Sequence, residues 1–103
     1  MRIIKEKTLI EFVDENKYST ATESIKSWIF EVRKADWNNS GQLKAKYRNA
    51  SIIGNKRVVF NIKGNDFRLI TDVEYELKIV FIVWFGTHAE YNKIDVKTIR
   101  YEK

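Results

Sequence analysis

A chain of 103 residues with 44% apolar and 14% aromatic side chains can build one hydrophobic core, so a single domain over 1–103 is expected; its 32% charged residues give a solvated surface. The absence of cysteine excludes disulfides, thiolate metal sites and cysteine nucleophiles, and one histidine excludes a histidine-rich metal site, so no metal or other cofactor is expected. The net charge of +5 is unevenly placed: residues 1–36 carry seven Lys/Arg and seven Asp/Glu, which leaves the whole surplus to 37–103.

The N-terminal "MRIIKEKTLIEF" has charges breaking up its apolar residues and lacks the apolar block of a secretion signal. The apolar run at 79–85 is far too short to span a bilayer. A cytoplasmic protein without a membrane partner is therefore expected. Thr8 and Glu11 stand in the S/T-x-x-E relation of a capping box, with Leu9, Phe12 and Val13 following at helical spacing. Thr20 and Glu23 repeat that signal. After it, Ala21, Ile25, Trp28, Ile29 and Val32 form one apolar stripe, which assigns Trp28 to the core. The second helix should end near "ADWNNSG", whose Asn38, Asn39, Ser40 and Gly41 are turn formers.

From Ser51 onward the apolar period becomes two. Gly54-Asn55 and Gly64-Asn65, each flanked by strand-like residues, have the form of hairpin turns. Residues 79–85 are apolar on both alternating sets and read as an interior strand covered on both faces. The expected architecture is α+β: two N-terminal helices packed on a twisted, mainly antiparallel sheet, with a short helical turn after the last core strand. If Gly64 and Asn65 are the central residues of a type II′ turn, Asn61 lies opposite Arg68. Alternation then puts Arg57, Val59, Asn61 and Lys63 on the outward face and Val58, Phe60 and Ile62 against the helices.

The window 44–68 carries Lys44, Lys46, Arg48, Lys56, Arg57, Lys63 and Arg68 against Asp66 alone, with Tyr47, Phe60 and Phe67 interleaved. Clustered cations suit a polyphosphate chain, because counterion release supplies affinity. An acidic protein partner would be met by the same charges. Downstream, "GTHAEYN" holds the single histidine. Gly86 permits a change of direction, and Thr87 and Glu90 form another capping box, which gives both a structural reason. His88 and Tyr91, three apart, project from one side of that turn. Imidazole titrates nearest neutrality and suits general-base work on a ribose 2′-OH, while a phosphorane-like transition state needs cations around it.

The blocks "ADWNNSGQLKAKY", "NKRVVFNIKGNDFRLI" and "GTHAEYNKID", in this order after two N-terminal helices, resemble the HigB toxins of the RelE/ParE superfamily. That resemblance implies a RelE-like microbial ribonuclease fold and a toxin of a type II toxin–antitoxin system. The implied activity is metal-independent, ribosome-dependent cutting of mRNA in the ribosomal A site by 2′-OH attack on the adjacent phosphate. The implied partner is a helix-turn-helix antitoxin of the HigA type. Carried onto matching positions, the catalytic set is His88, Arg68, Lys63 and Tyr91, with Asn61 beside it; from the basic window, Lys44, Lys46, Arg48, Lys56 and Arg57 join Asn61 as the expected RNA-binding set. Asn92 stands where family members commonly have Asp, so a charge that would assist the histidine is absent. Two other readings are a non-catalytic ParE-like binder of DNA gyrase and a basic RNA-binding module. The module would need exposed stacking rings on the basic face, whereas Phe60 is expected to point inward.

Overall fold

The computed structural model of the chain describes residues 1–15 and 17–100. Among the described residues the elements run β1 (Arg2–Ile4), α1 (Glu6–Glu15), a 3-10 turn (Ser19–Ala21), α2 (Thr22–Lys34), α3 (Ser40–Lys46), β2 (Ser51–Ile53), β3 (Arg57–Ile62), β4 (Phe67–Glu74), β5 (Ile79–Thr87) and α4 (His88–Tyr91). The strands form a mixed five-stranded sheet in the order β1-β5-β4-β3-β2, with β1 parallel to β5 and every other pair antiparallel. The α+β expectation is met, and β1 is the addition to it. Three residues whose partner strand lies at the far end of the chain leave no periodic signature.

Strand β1 also relocates the first helix start. After Ile4 the chain must leave the sheet at once, and Lys5 turns it at φ 77° so that Leu9 N–H already donates to Lys5 O at 2.9 Å. Thr8 is consequently an exposed residue inside α1 and not its cap. Thr20 likewise lies in the 3-10 turn, and α2 starts after Ala21 without a side-chain cap. The stripe itself is as expected: Ala21, Ile25, Trp28, Ile29 and Val32 are all buried, and the Trp28 ring meets Phe60 edge-on with centroids 5.2 Å apart. On α1, Leu9 and Val13 are buried, whereas Phe12 stays 42% exposed at the margin of the core. The turn formers after α2 conceal a further helix, because Asn39 Oδ1 accepts from Gln42 N–H at 3.0 Å and caps α3.

Both hairpins form where the Gly-Asn pairs stand. Gly54 and Gly64 sit at φ 70° and 64°, and Asp66 N–H closes the second turn on Lys63 O at 3.2 Å. Lys63 shares this turn at φ 53°, outside strand β3, so the strand's alternation does not direct its side chain. Strand β5 is sandwiched as expected: Val80, Ile82 and Phe85 join the helix-side core, while Val83, with Phe81 and Trp84, faces the opposite side. A register shift opposite Ile70/Thr71 lets Val83 and Trp84 point the same way.

The opposite face is not a half-exposed polar surface. Residues after α4 run across it as a strap, and Ile94, Val96 and Ile99 pack on Val59, Ile70 and Val83. The strap's apolar contacts fall on the middle of the sheet, short of the end nearest the Gly64 turn.

Candidate active site

At that end β3 and β4 bring Asn61 directly opposite Arg68, the register expected from the turn. The Arg68 guanidinium donates to Asn65 O at 3.0 Å, Phe67 O at 3.2 Å and Asn65 Oδ1 at 3.1 Å, while Asn61 Nδ2 reaches the same Asn65 Oδ1 at 3.3 Å. Asn65 thus holds both side chains through one amide oxygen and one carbonyl. Helix α4 adjoins this hairpin because His88 N–H donates to Asp66 O at 3.0 Å. The guanidinium carbon of Arg68 lies 5.8 Å from the Tyr91 ring centroid, within cation–π range, and Tyr91 in turn leans on Trp84 at 6.3 Å. Asn61, Arg68, His88 and Tyr91 therefore gather at one corner, half-buried, with exposed Lys63 in the adjoining turn.

The expected capping box is present: Glu90 N–H donates to Thr87 Oγ1 at 3.1 Å and Thr87 N–H to Glu90 Oε1 at 2.9 Å. Glu90 does more than cap. Lys17 Nζ lies 2.7 Å from its Oε2, and the Tyr18 hydroxyl donates to its Oε1 at 2.9 Å, which ties α4 to the connection between α1 and α2. The bond to Lys17, then the Thr87 amide, hold the Glu90 carboxyl down at about 2, below its ordinary 4.5. Burial and the bond to Glu90 push the Tyr18 phenol up to about 12. A carboxylate favoured in this way stabilises the fold above its unfolded value, and that contribution is lost as pH falls from about 4.5 towards 2. Urea unfolding followed across this window should show a steeper acid loss for the native chain than for Glu90→Gln.

Gly86 was expected to serve a change of direction, yet its φ is not positive. It is needed for space: a Cβ there would lie 2.5 Å from the Trp84 ring and 2.9 Å from Glu90 Oε1. Gly86 pairs with Arg68 across the sheet, so the missing side chain also leaves room beside the arginine.

The family model described as HigB_toxin, RelE-like toxic component of a toxin-antitoxin system, matches residues 21–94. The chain belongs to the HigB toxin family. No curated protein matches it. Family membership makes the chain the toxin of a toxin–antitoxin pair and implies an antitoxin partner. None of the helices among the described residues is long and apolar enough to cross a membrane.

Set against this HigB fold, the basic window does not form one patch. Lys44 is consumed locally, donating to Arg48 O and Ala50 O at 2.6 Å each, and so closes the chain after α3. Lys46 and Arg48 are exposed on and just after α3, whose Leu43 packs in the helix-side core, away from the strap side. Lys56 pairs with Glu74 at 2.5 Å, and Arg57 forks onto Asp72 at 2.8 and 2.9 Å while its other nitrogen donates to Val96 O and Ile99 O. Arg57 is thus a pin for the strap, about 13 Å along the strand from Asn61. Of Arg57, Lys63 and Arg68, which alternation and the turn register would set on one face, Arg68 stands beside Asn61 and Lys63 lies exposed in the adjoining turn. Asn65 and Glu90 hold the corner together beyond the turn and capping roles that their local sequence motifs indicate. Nothing in the sequence near Lys17 or Tyr18 announces their bonds to Glu90.

Proposed function

We propose that this toxin is a metal-independent endoribonuclease that cuts mRNA in the ribosomal A site. The observation that supports this reading best is the corner where the Asn65-held Arg68 meets Tyr91 and where Asp66 O fixes the start of α4 at His88. Arg68 and Lys63 bind the non-bridging oxygens of the scissile phosphate, because guanidinium and ammonium groups stabilise the charge that builds there. His88 takes the proton from the 2′-OH, and that oxygen attacks phosphorus. The bond to the 5′ oxygen breaks, and the leaving oxygen takes a proton from the Lys63 ammonium or from water. The products are a 2′,3′-cyclic phosphate and a 5′-hydroxyl. Tyr91 stacks against a neighbouring base or sugar and limits where Arg68 can reach. Asn61 donates to the same phosphate or to the ribose beside it. Lys46 and Arg48, which remain exposed, supply longer-range attraction to RNA.

Mapping mRNA 5′ ends after induction without the antitoxin tests the reading. New ends clustered inside translated codons are expected. No new ends, together with induction of the DNA-damage response, would instead favour a gyrase-poisoning toxin.

A further inference from the structure

Strand β1 covers only the first part of β5's outer edge. Its register ends with Ile4 against Phe81, where Lys5 turns the chain away. Along 82–86, β5 is paired to β4 on one side, and among the described residues no strand lies on the other; beyond it the Thr87 N–H is taken by Glu90 Oε1. This open edge floors a groove of about 770 Å³. Leu9 and Phe12 of α1 form one wall, and Ile94 and Ile99 of the strap form the other. Open strand edges are templates for pairing with another chain, and here the edge is recessed between apolar walls, with Lys5 also lining the groove. Lys93 and Arg100 stand along the rim, while the carboxylate lining it, Glu90, is already bound by Lys17 and Tyr18.

We propose that the 82–86 edge of β5 receives an extended segment of the antitoxin as a sixth strand, apolar where it lies between the walls and carrying Asp or Glu against Lys93 and Arg100. Five paired residues would span about 17 Å, the length of the open edge. Main-chain bonds supply the affinity in such strand addition and the side-chain pockets supply the choice of partner. A second copy of the chain is a poorer occupant, because edge-to-edge pairing would set two cationic rims against each other. The proposal rests on the antitoxin partner that family membership implies.

Amide hydrogen exchange on the free toxin and on its complex with the antitoxin provides the test. Exchange within 82–86 should slow by at least about tenfold on complex formation. The double variant Lys93→Glu/Arg100→Glu should bind the antitoxin at least about tenfold more weakly with an unchanged unfolding midpoint. A complex that forms with unaltered exchange at 82–86 would overturn the proposal. So would concentration-dependent protection of these amides in the free toxin, which would assign the edge to a second copy. If no complex forms at all, the antitoxin partner itself is wrong, a result told apart by the lack of any binding signal.

Discussion

Arg68→Ala and His88→Ala should each abolish growth arrest while leaving the toxin folded. For Arg68 the expected loss in cleavage is about 10²- to 10³-fold, the usual effect of deleting a preorganised group aimed at developing charge. For His88 it is about 10²- to 10⁴-fold, the range for general acid–base catalysis. The arginine's bonds to Asn65 and Phe67 are local to one hairpin end, so their removal should cost only about 1 kcal/mol. His88 holds its place through its main-chain N–H on Asp66 O, a bond that alanine keeps. Unfolding midpoints near that of the native chain, beside cleavage reduced in a purified translation system, would therefore separate chemistry from stability. Full cleavage by both variants would remove this corner as the active site. Arg68→Lys sharpens the assignment, since lysine retains the charge without the fork that Asn65 holds and should restore activity only in part.

The geometry behind this expectation was partly legible in the sequence, for reasons that particular residues make plain. The pair Gly64-Asn65 fixed the register that sets Asn61 opposite Arg68, because a tight turn dictates which residues face each other. Thr87 and Glu90 announced the helical turn that carries His88 and Tyr91, because a capping box is local chemistry. What stayed hidden depends on segments that meet only in three dimensions. Arg57 reads as one more cation of a basic run, and nothing near it in sequence reveals Asp72 or the carbonyls of Val96 and Ile99. The strap offers three spaced apolar residues with neither helical nor strand period, so its cover over Val59, Ile70 and Val83 leaves no pattern. The Thr8 signal failed for the converse reason. Pairing of Ile3 and Ile4 with β5 overrode a valid local motif and started the helix three residues earlier, at Glu6 instead of Leu9.

Arg57→Ala should destabilise the protein without directly weakening RNA binding. The side chain is only 14% exposed, and its guanidinium makes two bonds to the Asp72 carboxylate and donates to Val96 O and Ile99 O. Truncation leaves that carboxylate unpaired on the sheet and strips two strap carbonyls of their donor. Removing one partner of a buried pair costs about 3–5 kcal/mol, but Asp72 retains 37% exposure, so about 2–3 kcal/mol is expected. For a chain of this length that lowers the unfolding midpoint by about 10 °C or more. Arg57→Lys discriminates between the two roles. A lysine keeps the charge that an RNA backbone would read, yet it cannot fork onto Asp72 while also reaching the strap. If Arg57 pins the strap, the lysine variant remains well below the native chain in stability, whereas RNA affinity at low temperature is unchanged in both variants. If RNA affinity drops in Arg57→Ala and returns in Arg57→Lys, the residue belongs to the binding surface. The consequence for the proposed active corner is indirect: the strap continues from α4, so its release frees the C-terminal side of the turn that holds Tyr91 beside Arg68. Cleavage by Arg57→Ala should accordingly fall off with temperature earlier than in the native chain, in step with its lowered unfolding midpoint.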